Sequence, residues 1–174
     1  MGKSSSSPIQ KKQENQEKYI FLEENKDFSD MEIVCSGEVF RCHRIIMSAS
    51  SPVFRAMFQA KMKESEGSVI VDDIMPATMT ELLYYIYTGL VKVTVSIDSV
   101  VDLLVAADKY MLDALKNICQ DKLCSVLDAE NAIELSYIGE MYRVPKLKDA
   151  ALMEIVKNED SAKYKKKWGF WASL

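Results

Sequence analysis

In "DMEIVCSGEVFRCH" (30–43), Ile33 and Cys35 alternate with Glu32 and Val34, Gly37 interrupts the run, and Val39 and Phe40 lead on to Cys42. A period of two broken by glycine predicts a β-hairpin. "HRIIMSAS" then reads as a helix, and Ser51-Pro52 restarts it, with a serine suited to capping and a proline suited to the first helical position. Val53, Phe54, Met57 and Phe58 share one helical face. "GSVIVDD" predicts a third strand after Gly67. Pro76 opens a helix with Met79, Leu82, Leu83, Ile86 and Tyr87 on one stripe, and Gly89 ends it. "VKVTV" (91–95) predicts a short strand, and Ser99 with Asp102 forms a capping-box pattern before "VVDLLVAADKYML". The next helix carries Leu112, Leu115, Ile118, Cys119, Leu123 and Val126. Asp128 is placed to cap "AENAIELSYIGEMY", and Pro145 to open "KLKDAALMEIVK".

The ends of the chain have weaker patterns. The first fifteen or so residues are polar and lack an apolar period, the composition of a disordered tail. In "QEKYIFLEEN", Tyr19, Ile20 and Leu22 give an apolar face to one or two helical turns, which need a partner surface to be stable. The tail "KYKKKWGFWASL" has no clear assignment. The fold class expected is α+β: a small three-stranded sheet flanked by helices, then an all-helical C-terminal part.

Composition narrows the function. With 174 residues, 48% hydrophobic and 28% charged, the chain is long enough for a sizeable core. A net charge of -4 argues against a nucleic-acid binder held by phosphate contacts. No apolar run approaches the length of a membrane span. Cys35, Cys42, Cys119 and Cys124 form no disulfide framework and read as reduced, buried, intracellular thiols. The start "MGKSSS" fits the pattern for myristoylation of Gly2, which six residues match easily by chance. A single acyl chain gives reversible binding only, so a membrane partner is not expected. "KYKKK" reads first as a solvated helix end and second as a nuclear signal.

The search for catalytic groups finds none. His43 is the one histidine, and its neighbour Cys42 points to the other side of a strand end, a poor nucleophile–base geometry. Cys35, Cys42 and His43 lack a fourth ligand for structural zinc. No Gly-rich phosphate loop or nucleophile elbow occurs. No metal, no cofactor and no enzymatic activity are expected, and the chain reads as a binding module. One residue fits that reading: Met62 stands alone between Lys61 and Lys63 after the apolar helix face has ended. A solvated loop gains nothing from it, whereas a docking surface does.

The segment "FSDMEIVCSGEVFRCHRIIMSASSPVFRAMF" resembles the start of a BTB/POZ domain. The resemblance rests on Phe28 and Asp30, on His43-Arg44, and on Ser48-x-x-Ser51-Pro52-x-Phe54 leading into Met57-Phe58. It continues through "VIVDDI", "LLYYIYTG" and "LLVAADKYMLDALKNICQDKL". "CSVLDAENAIELSYIGEMYRVPKLKDAALMEIV" is similar to the helical segment after the BTB domain in speckle-type POZ proteins, and Trp168 falls where those carry a tryptophan. The domains implied are a disordered tail at 1–14, a BTB/POZ domain at 15–127 and a partial helical extension at 128–174. The family's upstream substrate-binding MATH domain and the remainder of its extension are not among these residues.

What the resemblance implies is a homodimeric substrate adaptor of a cullin-3 ubiquitin ligase, acting in the nucleus, the cytoplasm or both. Met62-Lys63-Glu64 fits the family's hydrophobic-x-Glu motif, so Met62 would enter a pocket on the cullin-3 N-terminal domain and Glu64 would fix the loop or meet a cation. Tyr110, Met111 and Leu112 fall in the other part of the cullin groove. Tyr19, Leu22, Ile45 and Ile46 would lie at the dimer interface, with Asp30, His43 and Arg44 as a polar cluster at its edge. A protein substrate is implied but not identified. The alternatives are a scaffold or transcriptional-regulator dimer that meets no cullin, and a tetrameric channel-type POZ domain.

Overall fold

The computed structural model describes residues 28–61, 68–92 and 96–157. They contain three strands and seven helices in two compact units. The first unit holds β1 (Met31–Cys35), β2 (Glu38–Cys42), α1 (Arg44–Ser50), α2 (Pro52–Lys61), β3 (Ser68–Val71) and α3 (Pro76–Thr88), and also takes in Lys109–Leu112. The predicted hairpin, restarted helix, third strand and Pro76 helix are all present.

The sheet order is β2-β1-β3. β1 and β2 pair antiparallel from Met31↔Cys42 to Cys35↔Glu38. Ser36 and Gly37 make the turn, both at positive φ (48° and 85°), as a two-residue hairpin loop that follows strand twist requires. β3 pairs with β1 in parallel, Ile33 against Val69 and Cys35 against Val71. One face of the sheet is core: Met31, Ile33, Cys35, Cys42, Val69 and Val71 are all buried. α1 packs on α2 and α3, and α2 packs on β3. Phe54 and Phe58 bring the apolar stripe of α2 inside, and Met79, Leu82, Leu83 and Tyr87 do the same for α3. Gly89 closes α3 in the left-handed region (φ 72°) while its N–H donates to Tyr85 O at 2.7 Å, a turn open to glycine at little cost.

The second unit is helical: α4 (Ile97–Lys109, whose last residue belongs with the first unit), α5 (Asp113–Ser125), α6 (Ala132–Met141) and α7 (Pro145–Lys157). The α4 cap differs from the expectation. Ser96, not Ser99, accepts at the N-terminus, from Ser99 N–H at 3.2 Å, so the helix starts three residues earlier than a Ser99–Asp102 box implies. Asp128 Oδ1 accepts from Glu130 and Asn131 N–H in the turn before α6, whose N-cap is Asn131 and which has no side-chain cap of its own, so the capping expected of Asp128 falls on that turn. α6 and α7 form a helical hairpin across three residues, and Pro145 opens α7. They approach tightly at Gly139, where an added Cβ would stand 2.7 Å from Lys148 N. Among the described residues no helix is long and apolar enough to cross a membrane. Positions 93–95 of the expected "VKVTV" strand lie outside the described residues, as do Gly2 and Trp168; Leu90–Lys92 are not in a strand.

Candidate protein-docking surfaces

The first candidate surface is built around the start of α1. This seven-residue helix has no cap from its own flanking side chain. Asp30, fourteen residues earlier, supplies one: Arg44 N–H donates to Asp30 Oδ1 at 2.7 Å. A carboxylate there also complements the positive end of the helix. His43 N–H donates to Tyr87 Oη at 2.8 Å, and His43 Nδ1 lies 2.7 Å from the same oxygen, so the exit of β2 is tied to α3. Arg44 Nη2 reaches Met31 Sδ at 3.4 Å. The Asp30, His43 and Arg44 cluster is thus an anchor for α1. It fixes which α1 side chains point out. Met47 is buried, Ile46 half-buried and Ile45 is 78% exposed. Phe28, two residues before the capping Asp30, is 94% exposed. Tyr19 and Leu22 lie outside the described residues.

The second surface is the turn between α4 and α5. Ser51 Oγ does two things: it accepts from Phe54 N–H (3.2 Å) to cap α2, and it donates to Tyr110 O (2.7 Å), fifty-nine residues away. The Tyr110 ring stacks on Phe54 with centroids 4.3 Å apart, and Phe54 stacks in turn on Phe58. Lys109 pairs with Asp73, and its Nζ lies 5.2 Å from the centroid of the Tyr110 ring. Tyr110 is fully buried, and burial holds its hydroxyl far above the ordinary tyrosine range. Among the described residues its oxygen has no hydrogen-bond partner. Leu112 is buried too. Between them Met111 sits at φ 54°, in the left-handed region that few non-glycine residues adopt, and is 61% exposed.

This geometry narrows the sequence expectation for the segment. The side chains of Tyr110 and Leu112 are core, and of the three only Met111 is exposed. The reason is the left-handed residue: it breaks the helical run and turns one side chain out while its neighbours turn in. Met62 and Glu64 lie outside the described residues. They follow directly on Lys61, the last residue of α2, which is seven residues on from Phe54, roughly 10 Å along the helix axis. Sequence reasoning missed Ser51 as the link between α2 and this turn, because its capping role already accounted for it.

Burial raises the pKa of the Cys35, Cys119 and Cys124 thiols and so disfavours their thiolates. Cys35 Sγ donates to Ile74 O at 2.8 Å, and burial, followed by Glu38, Asp72 and Asp73, pushes its pKa up. Burial pushes Cys119 up to about 12. Among the described residues no three His, Cys, Asp or Glu side chains gather as a metal site.

The BTB/POZ domain family matches residues 20–127. The chain belongs to the BTB/POZ family. Its relatives include mouse TD and POZ domain-containing protein 5, 39% identical over 132 residues, or 75% of this chain and 39% of that protein. Mouse TD and POZ domain-containing protein 1 is 40% identical, covering 75% of this chain and 36% of that protein. The chain therefore spans well under half the length of these relatives. The structure is similar to that of the BTB (Tramtrack and Bric a brac) domain of human gigaxonin, with TM-score 0.54 and 26% identity, covering 68% of this chain and 95% of that one. The relatives carry the TD and POZ name where the sequence resemblance pointed to speckle-type POZ proteins. As a BTB/POZ chain this protein is a protein-interaction module, of a family whose domains dimerise and bind proteins.

Proposed function

We propose that the protein is a homodimeric substrate adaptor of a cullin-3 RING ubiquitin ligase, of the speckle-type POZ kind. The observation that carries the reading is the Lys109–Leu112 turn. Four separate interactions hold it: Ser51 on its carbonyl, Phe54 under its ring, Lys109 on Asp73, and burial of Leu112. All of them serve to present one apolar side chain, Met111, to solvent. Met62 and Glu64, which follow α2, complete the groove for the cullin-3 N-terminal domain. Full burial of a methionine stabilises by about 1.5–3 kcal/mol, enough for an interface hot spot, and a thioether adapts to an irregular pocket.

Phe28 and Ile45 support the dimer: both are large, apolar and exposed, and Ile45 lies on the helix that Asp30 and His43 anchor. Tyr19, Leu22 and Ile46 join them at a two-fold, self-complementary contact, with Arg44 and Asp30 at its rim. A dimer presents two cullin sites and so raises ligase concentration at a multivalent substrate. The nucleus, the cytoplasm or both are the proposed compartments.

The test is calorimetric titration of the protein with the cullin-3 N-terminal domain, with light scattering on each sample, alongside Met62→Asp. Binding by a dimeric parent that the substitution abolishes, with the dimer intact, supports the adaptor. A folded dimer that gives no heat with the cullin sinks it and favours a scaffold or transcriptional-regulator dimer.

A further inference from the structure

The outer face of the sheet carries an apolar row that a solvated face does not need. In register, Val39 on β2 stands beside Val34 on β1, and Val34 beside Ile70 on β3. Val39 is 57% exposed, Ile70 63%, and Val34 half-buried. Sheets with one wet face alternate apolar-in and polar-out. Here the middle row is apolar from one edge strand to the other, about 10 Å across at the usual strand spacing. The flanking row is polar, with Arg41 Nε 3.6 Å from Glu32 Oε1 and Ser68 in register beyond Glu32. Past the other end of β3, Asp72 is exposed and by alternation belongs to the same face.

We propose that this face is a self-association surface on which a second copy of the chain docks sheet to sheet, separately from the dimer through α1. The charges argue for a second copy over other occupants. Arg41 and Asp72 mark opposite corners of the face, so the surface holds both signs and matches neither an anionic lipid surface nor nucleic acid. A two-fold axis lying along the other diagonal sets each Arg41 over the partner's Asp72 and crosses the two apolar rows at Val34. Orthogonal packing of this kind is one of the two usual sheet-on-sheet arrangements, and the isologous contact it makes is self-complementary. Three side chains per copy make a patch smaller than a standard interface. The association is therefore weak, of order a tenth of a millimolar. Joined to a dimer through α1, it links dimers.

Sedimentation velocity of the full chain over a series of concentrations tests this. The expected result is a species of twice the dilute mass that grows with concentration. Ile70→Lys should weaken it at least about tenfold, and the milder Val39→Thr less, with circular dichroism and Tm unchanged in both because these side chains face outward. Arg41→Asp should weaken it, and Arg41→Asp combined with Asp72→Arg should restore it. Restoration separates a specific two-fold contact from general stickiness. A mass independent of concentration, an association indifferent to Ile70→Lys, or a double reversal that fails to restore overturns the proposal. Ile45→Asp in parallel should split the α1 dimer and leave the sheet contact. A dilute species that is already a monomer counts against the α1 dimer and not against the sheet contact.

Discussion

The two units are held in different ways. In the first, single polar groups reach across long stretches of chain: Cys35 to Ile74, His43 to Tyr87, Ser51 to Tyr110, Asp30 to Arg44. In the second, Ser96 and Asp128 bond within three residues, and the ion pairs Lys116–Asp108, Lys146–Asp121 and Lys148–Glu140 join helices at the exposed surface. Its cohesion comes from packing: Leu115, Cys119, Leu123, Leu135, Leu147 and Ala151 buried, and two backbones nearly touching at Gly139. Apolar packing is nondirectional and holds a shape. A buried hydrogen bond over fifty-nine residues fixes one atom against another. The first unit therefore suits the accurate presentation of Met111 and Ile45, whereas the second is held by nondirectional packing.

Substitutions can break that contrast. The largest effect is alkaline and falls on the second unit. Burial pushes the Cys119 thiol up to about 12 from 9.0 for the free thiol. Below pH 9 the thiol is protonated in both states and costs nothing. Between 9 and 12 the unfolded chain has lost a proton that the folded chain keeps, so stability falls as pH rises, by up to about 4 kcal/mol at roughly 1.4 kcal/mol per unit. Urea midpoints measured across this range should fall more steeply in the parent than in Cys119→Ala, and parallel slopes would remove the thiol from the account. Gly139→Ala comes next. The new methyl gains helix propensity of about 1 kcal/mol but meets the Lys148 backbone, which has to shift, at about 1–3 kcal/mol. A net loss in urea unfolding is expected, and a net gain would mean the two helices are free to separate.

A sharper comparison uses one residue type in both units. Ser51 and Ser96 both cap helices, but only Ser51 also holds a distant carbonyl. Ser51→Ala should cost about 2 kcal/mol and speed amide exchange at Met111 and Leu112, while Ser96→Ala should cost about 0.5–1 kcal/mol and leave that turn alone. Equal costs would erase the distinction. The smallest effect is Tyr110→Phe. Its hydroxyl is buried without a partner among the described residues, so removal should leave stability within about 1 kcal/mol or raise it. A clear loss by thermal melting would reveal a bond that the orphaned oxygen makes in solution.

The sequence showed the elements well wherever periodicity met a strong breaker. The hairpin followed from alternation about Gly37, and three helices opened at Pro52, Pro76 and Pro145. The α4 start was misplaced because "SIDSVVD" holds two overlapping capping patterns, Ser96-x-x-Ser99 and Ser99-x-x-Asp102, and local sequence does not rank them. The parallel pairing of β3 with β1 has no local signal, since it is set by which strand lies nearest after two intervening helices. At the site, Asp30, His43 and Arg44 were legible as a cluster but not as a cap for α1 and a tie to Tyr87. Tyr110, Met111 and Leu112 were singled out only through the family resemblance. Which of them faces out depends on the left-handed backbone at Met111 and on Ser51, and neither is visible in the pattern of apolar positions.

On the proposed adaptor function, the anchored turn presents Met111, and Met111 alone of its three residues, to the cullin. Titration of the cullin-3 N-terminal domain into Met111→Asp and Tyr110→Phe, each verified as folded and dimeric, tests it directly. Met111→Asp should weaken binding at least tenfold, a loss of about 1.4 kcal/mol or more, while Tyr110→Phe should bind as the parent does. Unchanged binding by Met111→Asp, with the parent binding tightly, would contradict it.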